Sequence, residues 1–231
     1  MATRTRAQLR PPPTARIAWE TLSGLELARL LVAAPSLRAA PRSQAPVLVL
    51  PGFRADDLST FPLREFLRRL GHEVRGWDLG VNRGDVPALM PRVAAGVAAF
   101  ADRRGEPVHL VGQSLGGVLA RETARDLPEV VAQVITLGTP VLGGPSYTRV
   151  ASAYPEQRLA RIRRGIEERN RIPIRVPVTA VYSKRDGIVA WEACIDTDNP
   201  KVEHVEVKSP HLGMGLDPTV WKLLAERLAG R

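Results

Sequence analysis

Apolar positions along this chain fall into two rhythms. Short runs of largely aliphatic character recur at 47–50, 108–111, 130–137 and 178–183, each closed by Gly, Pro or a polar turn. Runs of this kind mark strands covered on both faces of a parallel sheet. A further strand is predicted over 73–79, and Val-Glu-His-Val-Glu-Val at 202–207 alternates as an edge strand does. Elsewhere the spacing lengthens to that of helices. These are predicted over 61–70, closing at Gly71, over 87–104 with Pro87 in the first turn, over 115–127, and from Asp217, an N-cap followed by Pro218, to 228. Over 16–33, residues Ile17, Leu22, Leu25, Leu27, Leu30 and Leu31 suit an amphipathic helix packed on the body, and Pro35, Pro41 and Pro46 mark 34–46 as a connector. Strands alternating with helices predict an α/β fold: a mostly parallel sheet of about six strands with helices on both faces.

One interval breaks the rhythm. Residues 141–176 offer no strand, and 158–171 read as a charged helix. The expectation is a short lid or cap insertion over a site, with a poorly ordered insertion as the competing reading. Residues 1–15, dominated by Pro and Arg, are expected to form a flexible basic arm ahead of a single domain over 16–231.

Composition narrows this picture only slightly. At 231 residues, 44% hydrophobic and 25% charged, the chain is an ordinary globular one. Its net charge of +9 is spread along the sequence and aromatics are 5%, which argues against a base-stacking nucleic-acid partner. A solvated basic surface is expected, with peripheral membrane contact through the basic N-terminal region as the next reading. Cys194 stands alone, so no intrachain disulfide forms. No apolar signal core follows the basic first ten residues, and the apolar stretch from Leu22 is broken by charge, so a cytoplasmic protein is expected.

The chemistry gathers at Gly112-Gln113-Ser114-Leu115-Gly116, between a predicted strand and a predicted helix. Gly-x-Ser-x-Gly in that context is a nucleophile elbow, whereas an isolated match would be a Gly-rich turn with an ordinary serine. Gly112 and Gly116 lack Cβ atoms, so strand and helix can approach around a strained turn. Such a serine needs a base and a group that orients it, in the chain order Ser, acid, His. Of four histidines, His72 and His109 precede Ser114. His204 shares an alternating strand face with Glu206 and Lys208 and is expected to be exposed. His211, in the loop Ser209–Gly215, is the candidate base. Asp186, beside Gly187 just past the strand 178–183, is the candidate acid, because sites of open α/β sheets gather at the carboxyl ends of strands. Asp196 and Asp198 are the fallback acids, and Asp126 falls on the helix after the elbow. For the oxyanion hole the candidates are the N–H groups of Leu115 and Phe53, with Gly52 letting the second loop come near.

Taken together, Val-Leu-Val-Leu-Pro-Gly-Phe (47–53), Val-Gly-Gln-Ser-Leu-Gly-Gly (111–117), Leu-Gly-Thr-Pro (137–140), Ser-Lys-Arg-Asp-Gly-Ile-Val (183–189) and Ser-Pro-His-Leu-Gly (209–213) resemble the α/β-hydrolases, small bacterial serine esterases and lipases in particular. The resemblance implies cleavage of small-molecule or lipid esters through an acyl-enzyme on Ser114, His211 and Asp186, with no metal or cofactor. Pro51 stands where such lipases often carry His, and Gln113 is a less usual neighbour for the serine. An acyltransferase or thioesterase would use the same residues. A scaffold that binds lipid or a partner without catalysis is the remote alternative.

Overall fold

The computed structural model describes residues 9–199 and 201–230. Six strands form one sheet: β1 Pro46–Leu50, β2 Glu73–Arg75, β3 Val108–Gln113, β4 Val131–Leu137, β5 Val178–Ser183 and β6 Val202–Val207. Their order is β2-β1-β3-β4-β5-β6, and every neighbouring pair is parallel. Leu50 lies beside Gly112 and Gln113 beside Leu137, so the carboxyl ends of β1, β3 and β4 finish level with one another. The helices are α1 Ile17–Glu20, α2 Ser23–Arg38, α3 Asp57–Arg69, α4 Val86–Arg104, α5 Leu115–Asp126, α6 Glu156–Asn170 and α7 Pro218–Leu228.

Successive strand residues point to opposite faces, and the core divides accordingly. Val47 and Val49 join Leu63, Leu67 and Leu224, from α3 and α7, on one side. Leu48 and Leu50 join Val93, Val97 and Leu119, from α4 and α5, on the other. This two-sided cover is why the central strands read as unbroken apolar runs. β6 is an edge strand, as its alternation foretold.

Several elements depart from the pattern. α3 starts four residues earlier than predicted because Asp56 caps it, its carboxylate accepting from Leu58 N–H at 3.0 Å. β2 ends at Arg75, not at residue 79. The Asp57 carboxylate takes the Trp77 and Asp78 N–H groups, both at 3.0 Å, and removes those donors from the ladder. The predicted helix 16–33 is two helices, and α2 continues through Pro35 to Arg38. Burial of Leu37 in the core carries it past the proline, at the loss of one backbone hydrogen bond.

The orientation of this N-terminal segment also reverses the expected one. Of the six apolar residues assigned to its packed face, only Leu30 is buried; Glu20 and Glu26 are buried beside it, and Ile17, Leu22, Leu25, Leu27 and Leu31 are exposed. Residues 1–8 of the expected flexible arm lie outside the described residues. Leu9 is buried against Val141, Leu142 and Ala190. Among the described residues no helix is long and apolar enough to cross a membrane.

Candidate active site

β3 runs directly into α5, and Ser114 sits at the junction with φ 51° and ψ −119°. Positive φ is strained for a residue with a side chain. The turn holds because both flanking glycines are packed against backbone. A Cβ on Gly112 would lie 2.4 Å from Gly117 Cα, and one on Gly116 would lie 2.2 Å from the Leu50 carbonyl oxygen. Ser114 N–H donates to the Leu137 carbonyl at 2.8 Å, and the Thr139 hydroxyl donates to the Ser114 carbonyl at 3.0 Å. Leu115 N–H opens α5, among the first-turn donors that have no partner within a helix.

The turn after β1 comes alongside: a Cβ on Gly52 would stand 3.4 Å from Ser114 Cβ. Phe53 follows in that loop. The loop is braced by Asn82, which the sequence did not single out. Asn82 is fully buried; its amide donates to the Pro51 carbonyl at 3.0 Å, and its backbone exchanges hydrogen bonds with Arg54 and Ala55.

Asp186 follows β5 and His211 follows β6, both nearly fully buried, with His211 Nδ1 and Asp186 Oδ2 2.6 Å apart. The other carboxylate oxygen of Asp186 accepts from Ile188 N–H at 2.8 Å and Val189 N–H at 2.6 Å, so its orientation is fixed. Gly138 directly follows β4, with φ +60°, and a Cβ there would be 2.9 Å from His211 Nδ1. Only glycine lets that turn lie against the pair. Burial works against a charged His211, but the Asp186 carboxylate and its hydrogen bond, helped by Glu20, outweigh it. The pKa is raised above the ordinary 6.5.

The other candidates are occupied elsewhere. Asp196 is buried in an ion pair with Arg121, and its second oxygen accepts from the Asp198 and Asn199 N–H groups. Asp198 is exposed. Asp126 pairs with Arg169 at 2.7 Å. His204, expected to be exposed, is half-buried; its Nε2 accepts from Asp196 N–H at 2.9 Å, and its pKa is lowered, chiefly by burial. Gln113, beside the serine, donates to the His211 carbonyl at 3.2 Å and ties β3 to the histidine loop. Glu20 was missed as well: its carboxylate accepts from the backbone of Gly187, His211 and Leu212. Among the described residues no group of three or more His, Cys, Asp or Glu is placed to hold a metal ion.

Ser114, Leu115, Phe53 and His211 all line one cavity of about 1020 Å³. That is at the top of the range for small-molecule sites, roughly 300–1,000 Å³. Residues 141–176 form part of its wall through two 3₁₀ turns, Gly144–Tyr147 and Arg149–Ala153, and through α6. Val150, Ile162 and Ile166 from this stretch line the cavity together with Met90 and Val118 from α4 and α5. α6 is fastened to α5: Arg169 pairs with Glu122 at 2.6 Å, and the Arg125 guanidinium meets the Asn170 side chain at 3.2 Å.

No family model matches the sequence, and no curated protein matches it. Solved structures do. A metagenome-derived lipolytic enzyme is 19% identical, covering 81% of this chain and 93% of that one, with a TM-score of 0.59. The mouse alpha/beta hydrolase domain-containing protein 10 is 20% identical over 82% of this chain and 90% of its own, at 0.55. The thioesterase domain from the curacin biosynthetic pathway is 17% identical over 82% and 93%, also at 0.55. At these identities the likeness establishes architecture.

Proposed function

This chain has the α/β-hydrolase fold, and we propose that on it Ser114, His211 and Asp186 form the triad of a serine hydrolase that cleaves carboxylic esters. The observation that carries this reading is the buried His211–Asp186 hydrogen bond, at a cavity shared with a serine on a strained strand-to-helix turn. His211 Nε2 takes the Ser114 proton as Oγ attacks the acyl carbon, and the N–H groups of Leu115 and Phe53 receive the oxyanion. Collapse breaks the ester C–O bond, and the leaving alcohol takes the proton from His211. Water, deprotonated by His211, then attacks the acyl-enzyme; the acid is released and Ser114 regains its proton.

The apolar cavity favours an extended hydrocarbon acyl group, with residues 141–176 as its cap. The lipolytic activity named for one structural neighbour agrees with this. The thioesterase named for another keeps a thioester substrate as the second reading, since the acyl-enzyme would be the same. Peripheral contact with an anionic lipid surface belongs to the same proposal. The exposed surface of α2 carries Leu25, Leu27, Leu31 and Val32, while the segment's acids, Glu20 and Glu26, are turned inward. The test is Ser114→Ala: a folded variant without turnover of p-nitrophenyl esters is expected, and a fully active one would refute the assignment.

A further inference from the structure

Glu20 closes α1, upstream of the whole sheet, yet its side chain ends beneath the two loops that carry Asp186 and His211. One carboxylate oxygen accepts from Gly187 N–H at 2.9 Å and from His211 N–H at 3.0 Å; the other accepts from Leu212 N–H at 2.9 Å. The residue is buried, and hydrogen bonds to an ionised acceptor are among the stronger ones in proteins. An apolar side chain at this position would leave three N–H groups without their acceptor, which is costly in a buried place. Gly187 completes the arrangement, since a Cβ there would strike the Arg16 carbonyl oxygen at 2.4 Å and keep α1 away.

Each loop needs a support of this kind. Asp186 and His211 come from the ends of adjacent strands, 25 residues apart in the chain. Glu20 holds the residue after one and the backbone of the other with the same two oxygens. A third group, outside the His211–Asp186 hydrogen bond itself, therefore ties the two loops to each other.

Resting on the triad assigned above, we propose that Glu20 is a positioning residue for catalysis, the brace that fixes the His211 loop against the Asp186 turn. A displacement of about 1 Å at a reacting group can cost up to about 100-fold in rate. Glu20→Gln keeps one acceptor oxygen and sets an amide donor against the remaining N–H. Glu20→Asp keeps the charge but draws it back by one methylene.

The experiment titrates Ser114 in wild type and both variants with a fluorophosphonate, then measures kcat per titrated site and KM on a short-chain p-nitrophenyl ester. Glu20→Gln is expected to lower kcat per site by about 10-fold to 100-fold, with KM nearly unchanged and the acid limb of the pH profile moved to lower pH. Unchanged kcat per site and pH profile, with only a lower melting temperature, would overturn the proposal by making Glu20 a stability residue. If Glu20→Gln does not fold, Glu20→Asp carries the same comparison, and a normal kcat per site in it refutes the brace. Wild-type protein that neither labels at Ser114 nor cleaves the ester would overturn the triad and this inference together. Normal wild-type labelling with unaffected Glu20 variants overturns this inference alone.

Discussion

Replacing Asp186 by Asn changes one atom in the buried pair and should nearly abolish turnover. Asp186 Oδ1 is held by the Ile188 and Val189 N–H groups, at 2.8 and 2.6 Å, and an asparagine oxygen can keep both bonds. Its amide nitrogen then faces His211 Nδ1, where a carboxylate oxygen now lies 2.6 Å away. Two donors cannot share that contact, so Nδ1 must become the acceptor and the ring proton must move to Nε2. That is the atom required to accept from Ser114. A wrong tautomer of this kind costs on the order of 10⁴ in kcat, which is about 5.5 kcal/mol of transition-state stabilisation. The pH dependence shifts as well. In the wild type the raised His211 pKa means that the neutral base, and kcat/KM with it, is lost as pH falls through a value above 6.5. Asn removes the charge that raises this pKa and leaves the burial that lowers it, so residual activity should persist to lower pH. Turnover of a p-nitrophenyl ester from about pH 5 to 8, with thermal unfolding as the control for fold, measures both effects. A folded Asp186→Asn protein within about tenfold of wild-type kcat would refute the reasoning, because a wrong tautomer is far more costly.

Other outcomes follow from named contacts. Gly138→Ala should cost more than about tenfold in ester turnover while the protein still folds, because its Cβ would arrive 2.9 Å from His211 Nδ1; wild-type turnover would contradict the packing described. His109 has its pKa lowered from 6.5 to about 4, chiefly by burial. The unfolded chain therefore takes up the proton first, and stability present above about pH 6.5 should fall by about 3 kcal/mol as pH drops to 4. Denaturant unfolding at several pH values should show that slope, and His109→Gln should flatten it. Leu31→Glu with Val32→Glu should lower co-sedimentation with phosphatidylglycerol vesicles without lowering hydrolysis of a short soluble ester. Equal sedimentation would remove lipid contact from the account.

Legibility in the sequence followed burial. β5 and β6 match their predicted bounds residue for residue, since a β-branched apolar run of strand length and a strict alternation at an edge both mark strands. The elbow was legible because Gly112 and Gly116 are demanded by contacts only a few residues away in the chain or across one strand pair. The N-terminal segment was not. Periodicity marks a leucine stripe, but it carries no information that Glu20 and Glu26 would be the inward side chains. For Glu20 that inversion depends on backbone donors 167 to 192 residues downstream. His204 was misjudged for the same reason, its partner being the Asp196 backbone in a loop that strand alternation does not report. Gln113 stood out only as a less usual neighbour for the serine, because its bond to the His211 carbonyl spans 98 residues.

The decisive measurement is fluorophosphonate labelling followed by mass mapping of the modified peptide, in wild type and in His211→Ala. Stoichiometric modification of Ser114 in the wild type, lost in the folded variant, is the expected result. Absence of modification in folded wild-type protein, with or without detergent, would contradict an activated serine at this site.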